Sequence, residues 1–212
     1  MPTVFDYDEI NKIQTRQRAI PYAVYFGDMD LSEETVEELK EHANIIEYVM
    51  QFFIAMVLLG GVDELNKADL KYQLADTYRS EISSFMEVDA KVSRYIDTFA
   101  DRIVENTYKN INDLWYLSDD RAKFIGENES LTLYNYTSHQ QAIADGYKRK
   151  EWVAFIDNKT RETHAEINGT IIPIEDFFIV GDALMQYPKD IENAIDNPEE
   201  TVNCRCKIRY LK

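Results

Sequence analysis

The sequence predicts an α+β protein, in which an acidic helical region is followed by a small mixed module of helix and strand. Three observations lead to this prediction. Apolar residues recur at helical spacing over most of the first 146 of the 212 residues. β-branched and aromatic runs follow Gly146, and the C-terminal residues alternate with period two. Helices first and strands afterwards is an order typical of α+β folds, so we predict a domain boundary after residue 146.

The helical region, residues 1–146, begins with residues 1–30, which show no sustained period and are predicted to form an arm. Ser32 precedes two glutamates, a pattern that favours the start of a helix, and Gly60-Gly61 favours its end. Apolar stripes then recur every three or four residues, and such stripes must pack on one another. The predicted helices cover residues 32–59, 66–86, 88–110 and 130–145.

The C-terminal module, residues 147–212, contains short segments typical of strands. Residues 151–156, 170–172 and 177–180 are β-branched or aromatic, and Asn168-Gly169 is a strong signal for a hairpin turn. The alternation that starts at Cys204 predicts a last strand.

Charge is distributed unevenly along the chain. Of its 23 basic and 39 acidic residues, 13 and 27 precede Tyr147, whereas 10 and 12 follow from Tyr147 onward. A strongly acidic segment is repelled by the phosphate backbone, so we expect a protein partner for the first region. The sequence begins without the basic and apolar segments of a signal peptide and has only two cysteines, so we expect folding in a reducing cytoplasm.

No membrane partner is expected from the longest apolar run. This run, Phe52 to Val62, is well short of the roughly 20 residues that cross a bilayer. It predicts the buried end of a helix.

The C-terminal module contains a spaced series of polar and aromatic residues. It runs from Trp152 through Asp157, Thr160-Arg161 and His164 to Asn203-Cys204-Arg205-Cys206. This ordered series resembles the phage Mu F-like family, also called head morphogenesis or minor head proteins. The resemblance covers roughly residues 130–212.

The resemblance implies a structural, non-enzymatic minor head protein of a tailed phage. Such a protein binds the portal protein and other head proteins and acts in head morphogenesis or DNA delivery. It would lie in the virion head interior or at the portal vertex, after assembly in the host cytoplasm. We predict structural roles for Trp152, Asp157, Thr160, Arg161, His164, Asn203, Cys204 and Cys206.

Several chemistries remain open for His164, Cys204 and Cys206. We first predict that the cysteines are small buried packing residues and that His164 bonds Asp157 or a turn backbone, with a salt bridge between Arg161 and Asp157. Otherwise the three residues, with Asp157 as a fourth ligand, suit a tetrahedral zinc ion, the only cofactor that the residues suggest. A strained Cys204–Cys206 disulfide is a third option.

Two functional alternatives follow from the same module. A metal-dependent nuclease or hydrolase could use His164 with Cys204 or Cys206, but no nucleophile elbow, phosphate-binding glycine loop or paired-acid motif accompanies them. A DNA-binding ejection protein could make weak DNA contacts through a modest cationic group. That group comprises Lys148, Arg149, Lys150, Arg205, Lys207 and Arg209.

Overall fold

The computed structural model describes residues 21–60 and 66–212 and confirms the α+β class. Most of the predicted arm, residues 1–20, lies outside the described residues. The described helices are α1 (Tyr22–Gly27), α2 (Glu33–Gly60), α3 (Lys67–Ile82), α4 (Ala90–Lys109), α5 (Asp119–Ala144), α6 (Glu162–Glu166) and α7 (Pro198–Thr201). A 3-10 helix, Leu114–Leu117, precedes α5.

Helix ends follow local hydrogen bonding. Asp89 caps α4 because its carboxylate accepts from the backbone N–H groups of Lys91 and Val92, both at 2.8 Å. Helix α3 ends at Ile82, before the predicted residue 86, and the hydroxyls of Ser83 and Ser84 donate to backbone carbonyls there. Such local bonds compete with helix continuation.

Helix α5 begins at Asp119 instead of the predicted residue 130. Its first half carries the buried Arg121, whose guanidinium donates to Thr107 Oγ1 and to the Tyr116 carbonyl, both at 2.7 Å. Buried polar residues continue at Asn128 and Thr132. Because polar side chains occupy inward positions, this helix lacks the apolar stripe by which the other helices were predicted.

The chain divides into two compact units, one that ends at Glu127 and one that runs from Asn128 to Lys212. The division falls within α5, whereas the sequence analysis placed the boundary after residue 146. In the first unit, α2 packs against α1 and α3, and α3 packs against α4.

Helix α2 is buried on one side only. Phe53 and Val57 lie in the core, whereas Phe52 and Leu59 are exposed, so the predicted burial of this apolar end applies to one face of the helix. By length and composition α2 is the one described helix that could cross a membrane. The core helix of a folded bundle passes the same test, and a single such helix is weak support for a span.

The second unit contains five strands. They are β1 (Arg149–Val153), β2 (Ile171–Pro173), β3 (Phe178–Val180), β4 (Ala183–Met185) and β5 (Lys207–Leu211). β1 lies between β2 and β5 in an antiparallel sheet, and β3 pairs with β4. The hairpin turn is Gly181-Asp182, not Asn168-Gly169, which instead joins α6 to β2.

The core of this unit gathers around Trp152 of β1, which is fully buried. Its neighbours include residues of β3 and β4 and both cysteines. The pairing of β1 with β5 brings the chain just before β5 beside this core. The two cysteines, which lie just before β5, are therefore part of this core.

Candidate functional site

The turn before α6 positions His164. Asp157 Oδ1 accepts from the Lys159 backbone N–H at 2.8 Å, and the Asp157 backbone N–H donates to Thr160 Oγ1 at 2.8 Å. This compact turn is the kind that Asp and Thr form with nearby backbone. It directs the chain into α6, where His164 is buried.

His164 contacts three side chains through its two ring nitrogens. Nδ1 lies 3.2 Å from Cys206 Sγ and 3.5 Å from Cys204 Sγ, and Nε2 lies 3.0 Å from Glu200 Oε2. The exposed fractions of His164, Cys204 and Cys206 are 2%, 2% and 5%. One donor atom from each of the three lies within 4.8 Å of the other two.

Glu200 fixes the orientation of the imidazole. An ionised carboxylate only accepts hydrogen bonds, so Nε2 carries the proton and donates to Oε2. The same oxygen accepts from Thr163 Oγ1 at 2.9 Å. Nδ1 therefore faces the sulfurs, either as acceptor of a thiol proton or as donor to a thiolate.

The cluster holds its protons unequally. The pKa of Cys204 is well below its usual value because Cys206 donates a hydrogen bond to it and His164 lies beside it. The pKa of Cys206 is raised because it holds the proton that bridges to Cys204 and because it is buried. Burial lowers the pKa of His164, but the hydrogen bond and charge of Cys204 raise it overall. The pair therefore favours one thiolate and one thiol that share a proton.

Trp152 lies over this cluster from the side of β1. Its ring meets the His164 ring edge to face, with centroids 5.6 Å apart. The indole N–H lies near Cys206 and acts to lower the pKa of that thiol, against the larger effects that raise it. It makes no hydrogen bond with any acceptor among the described residues.

Asp157 lies outside the cluster, so the structure does not place it as the predicted fourth ligand or as the partner of His164. It pairs with Arg205 at 2.6 Å rather than with Arg161. The Arg205 hydrogen bond, helped by the Lys159 N–H, lowers the pKa of Asp157 to about 2. Arg161 donates to the Val202 carbonyl at 2.6 Å, which fastens α6 to the segment before the cysteines.

Asn203 adopts a left-handed backbone with φ of 58°, a conformation that asparagine tolerates better than most residues. Its N–H donates to Asn128 Oδ1 at 2.7 Å. Asn128 also accepts from the buried Lys189, whose Nζ lies 2.9 Å from the same oxygen. Burial lowers the pKa of Lys189 to about 8, and the charge of Cys204 acts against that shift.

Glu200, Lys189 and Asn128 are site residues that the sequence reasoning missed. Glu200 follows Pro198 in the first turn of α7, a pattern that predicts a helix start and no more. Lys189 and Asn128 carry no spacing signal, because 61 positions separate them in the chain.

The predicted cationic group is smaller than its sequence suggested. Lys150 is fully buried, Arg205 pairs with Asp157, and Arg209 pairs with Glu151 at 3.1 Å. Three of its six members are therefore engaged within the unit or shielded from solvent.

The family model described as phage Mu protein F like protein matches residues 100–209. This match covers more than half of the chain and every residue of the cluster. It identifies the class as structural proteins of phage heads. The chain belongs to the phage Mu protein F like family. No curated protein and no solved structure matches the chain.

Proposed function

We propose that the protein is a minor head protein that binds the portal vertex and acts in head morphogenesis or DNA delivery. The family match over residues 100–209 is the observation that carries this proposal. Membership supplies the head-protein class, and interaction with other head proteins follows from it in general terms. The portal contact, the location at the vertex and the role in delivery are the proposed additions.

The charges of the first unit favour a protein partner. Its cations Lys67, Lys71 and Arg79 already pair with acidic side chains of α4. Binding to a phosphate backbone needs clusters of Lys and Arg that can displace counterions. The acidic excess and these internal ion pairs both weaken the attraction of the unit for a phosphate backbone.

One face of α2 supports a docking role. Tyr48, Phe52 and Leu59 are exposed and recur at helical spacing, on the side of the helix away from its buried residues. Aromatic side chains are enriched where proteins associate. We assign this face, defined by those three residues, to the portal contact.

Co-purification tests the assignment. The full chain is co-expressed with the portal protein from the same genome, and the tagged portal is purified. We expect the parent chain to co-purify and the Tyr48→Ser/Phe52→Ser variant to be lost. Ile179→Ser is the matched control, because Ile179 is an exposed isoleucine of the second unit. Absence of association of the parent at micromolar concentration would overturn the proposal.

Association of the same helix with a membrane is the competing outcome. Flotation with phosphatidylcholine vesicles distinguishes the two, since a spanning or interfacial helix carries the chain into the lipid fraction. Flotation of the parent without portal binding would replace the docking role by membrane association.

The enzymatic alternative is disfavoured by burial. A nucleophilic cysteine must reach its substrate, whereas Cys204, Cys206 and His164 are all buried. DNA cleavage by the folded protein with added Mg²⁺ or Zn²⁺ would revive the nuclease. Salt-sensitive binding to duplex DNA would likewise favour the DNA-binding ejection protein.

A further inference from the structure

We propose that His164 Nδ1, Cys204 Sγ and Cys206 Sγ bind one Zn²⁺ ion in a buried site that stabilises the fold. This inference goes beyond the head-protein role and does not depend on the portal contact. Imidazole and two thiolates are ligands that zinc prefers over the hard cations Mg²⁺ and Ca²⁺.

The spacing of the donor atoms fits a tetrahedral ion. With zinc-ligand bonds of usual length, a nitrogen and a sulfur ligand lie about 3.5 Å apart. The two nitrogen–sulfur separations here are 3.2 and 3.5 Å. Both nitrogen–sulfur separations are therefore within a few tenths of an ångström of the value that a shared zinc ion requires.

The second nitrogen of His164 is arranged as in many zinc sites. A histidine that binds a metal usually donates its other N–H to a carboxylate or carbonyl, which fixes the tautomer and raises ligand basicity. Glu200 provides this acceptor at 3.0 Å, and Thr163 holds the same oxygen from a second side. Glu200 is thus a positioning residue, not a ligand, because it lies at the opposite nitrogen.

The surrounding charges balance a bound ion. Two thiolates neutralise the double charge of Zn²⁺, and the buried Lys189 interacts with the charge of a further acidic side chain, Glu129. Lys189 is close enough to Cys204 to interact with its charge. A buried ion is tolerated when its charge is compensated in this way.

Burial of all three residues, not the number of protein ligands, assigns a structural role to the site. The described residues provide three ligands and no fourth histidine, cysteine or carboxylate in the cluster, so a small molecule such as water completes the coordination. The ion would join α6 to the segment before β5, which couples metal binding to folding of the second unit.

Metal content of the full chain, purified without a histidine tag under reducing conditions, tests the proposal. We expect about one zinc per chain by plasma mass spectrometry. Substitution with Co²⁺ should give thiolate-to-cobalt charge transfer and the intense visible bands of tetrahedral coordination. His164→Gln, Cys204→Ser and Cys206→Ser should each lose the metal.

Two carboxylate variants distinguish the loss of the positioning contact of Glu200 from a nonspecific effect of removing a negative charge. Glu200→Gln should weaken zinc binding by roughly 10- to 100-fold, the usual effect of losing an outer partner. Glu199→Gln, the control, should bind zinc like the parent because Glu199 is the exposed neighbour of Glu200 in α7 and is not part of the cluster.

The parent chain keeps the test decisive if the variants do not fold. A chelator should lower its melting temperature, and zinc should restore it. Folded parent protein without zinc, without a tetrahedral cobalt spectrum and with a melting temperature insensitive to chelator would overturn the proposal. A Cys204–Cys206 disulfide found by mass spectrometry in cytoplasmic protein would do the same. Portal co-purification is independent of all these results.

Discussion

His164 donates from Nε2 to the carboxylate of Glu200 at 3.0 Å, and this bond joins two short helices that are far apart in the chain. Glu200 lies in α7 and His164 in α6. Both residues are buried, so the bond forms away from water. Hydrogen bonds that involve a charged partner are stronger than neutral ones, so this contact stabilises the second unit.

Removal of the Glu200 carboxylate should destabilise the protein. Glu200→Ala leaves the buried donor of His164 and the half-buried donor of Thr163 without their acceptor, and we expect a loss of about 2 kcal/mol or more in the free energy of unfolding. Urea denaturation measures it. Glu199→Ala is the control, because Glu199 is the exposed neighbour in the same helix and should change stability by less than about 0.5 kcal/mol. Equal effects of the two variants would contradict the role given to Glu200.

Gly181 should resist substitution for two reasons that a control separates. Its φ of 58° strains any side chain, and a Cβ there would collide with Glu200 Oε1. Gly169 also has a positive φ, of 79°, but a Cβ there meets nothing within 4 Å. Gly169→Ala should therefore cost about 1 kcal/mol and Gly181→Ala at least about 1 kcal/mol more. Thermal or urea unfolding gives both values, and similar losses would argue against close packing of Gly181 on Glu200.

The pattern of apolar residues predicted the helices that have clear apolar stripes and missed the helical segment whose buried residues are polar. α2 and α4 follow their stripes closely, because their inward residues are apolar. The first half of α5 escaped prediction since Arg121 and Asn128 lie inward there. Periodicity detects burial only when the buried residues are apolar.

The cluster itself was predicted only in part. Residue type singled out His164, Cys204 and Cys206, and the structure brings these three together. Residue type could not identify Glu200 as the carboxylate partner of His164. Asp157 and Glu200 both carry a carboxylate, and only the three-dimensional path of the chain brings Glu200 to the ring. Whether the three bind a metal stays a prediction. Similarly, Asn168-Gly169 carried the stronger turn signal, but the hairpin formed at Gly181-Asp182, where the flanking strands β3 and β4 pair directly.

Acidification should weaken the first unit through His42. Burial against Phe85, with ring centroids 3.6 Å apart, lowers the pKa of His42 from 6.5 to about 4. Between these values the unfolded chain binds more protons than the folded one, so stability falls as pH falls. His42→Leu should remove this slope, which is at most about 1.4 kcal/mol per pH unit. Urea midpoints between pH 7 and 4.5 measure it, and an unchanged slope in the variant would refute the assignment.

Glu127 should act with the opposite sign in an overlapping range. Burial, opposed by Lys123 and helped by Glu47, raises the pKa of Glu127 from 4.5 to about 7. The folded chain then binds more protons between these values, so this contribution is present below pH 4.5 and is lost as pH rises towards 7. In the same urea series, the stability of the Glu127→Gln variant should therefore decline more steeply on acidification than that of the parent. A shallower decline would contradict the raised pKa.

Lys150 places a buried cation in β1, with its Nζ 5.6 Å from the centroid of the Phe178 ring. Its Nζ has no hydrogen-bond partner among the described residues, and burial lowers its pKa to about 8 despite nearby carboxylates, Asp190 first among them. Asp190 does not depend on Lys150, because it accepts from the Gln186 N–H at 2.8 Å and from the Glu192 N–H at 3.0 Å.

Lys150→Met keeps the volume and removes the desolvated charge, so at pH 7 we expect about 1 kcal/mol of added stability. Lys148→Met, at an exposed neighbouring position, is the control and should change nothing measurable. Because the folded pKa of Lys150 lies below the unfolded value of 10.5, the advantage of the variant should shrink as pH rises from 8 towards 10.5. Loss of stability in Lys150→Met at pH 7 would show that the ammonium group stabilises the sheet.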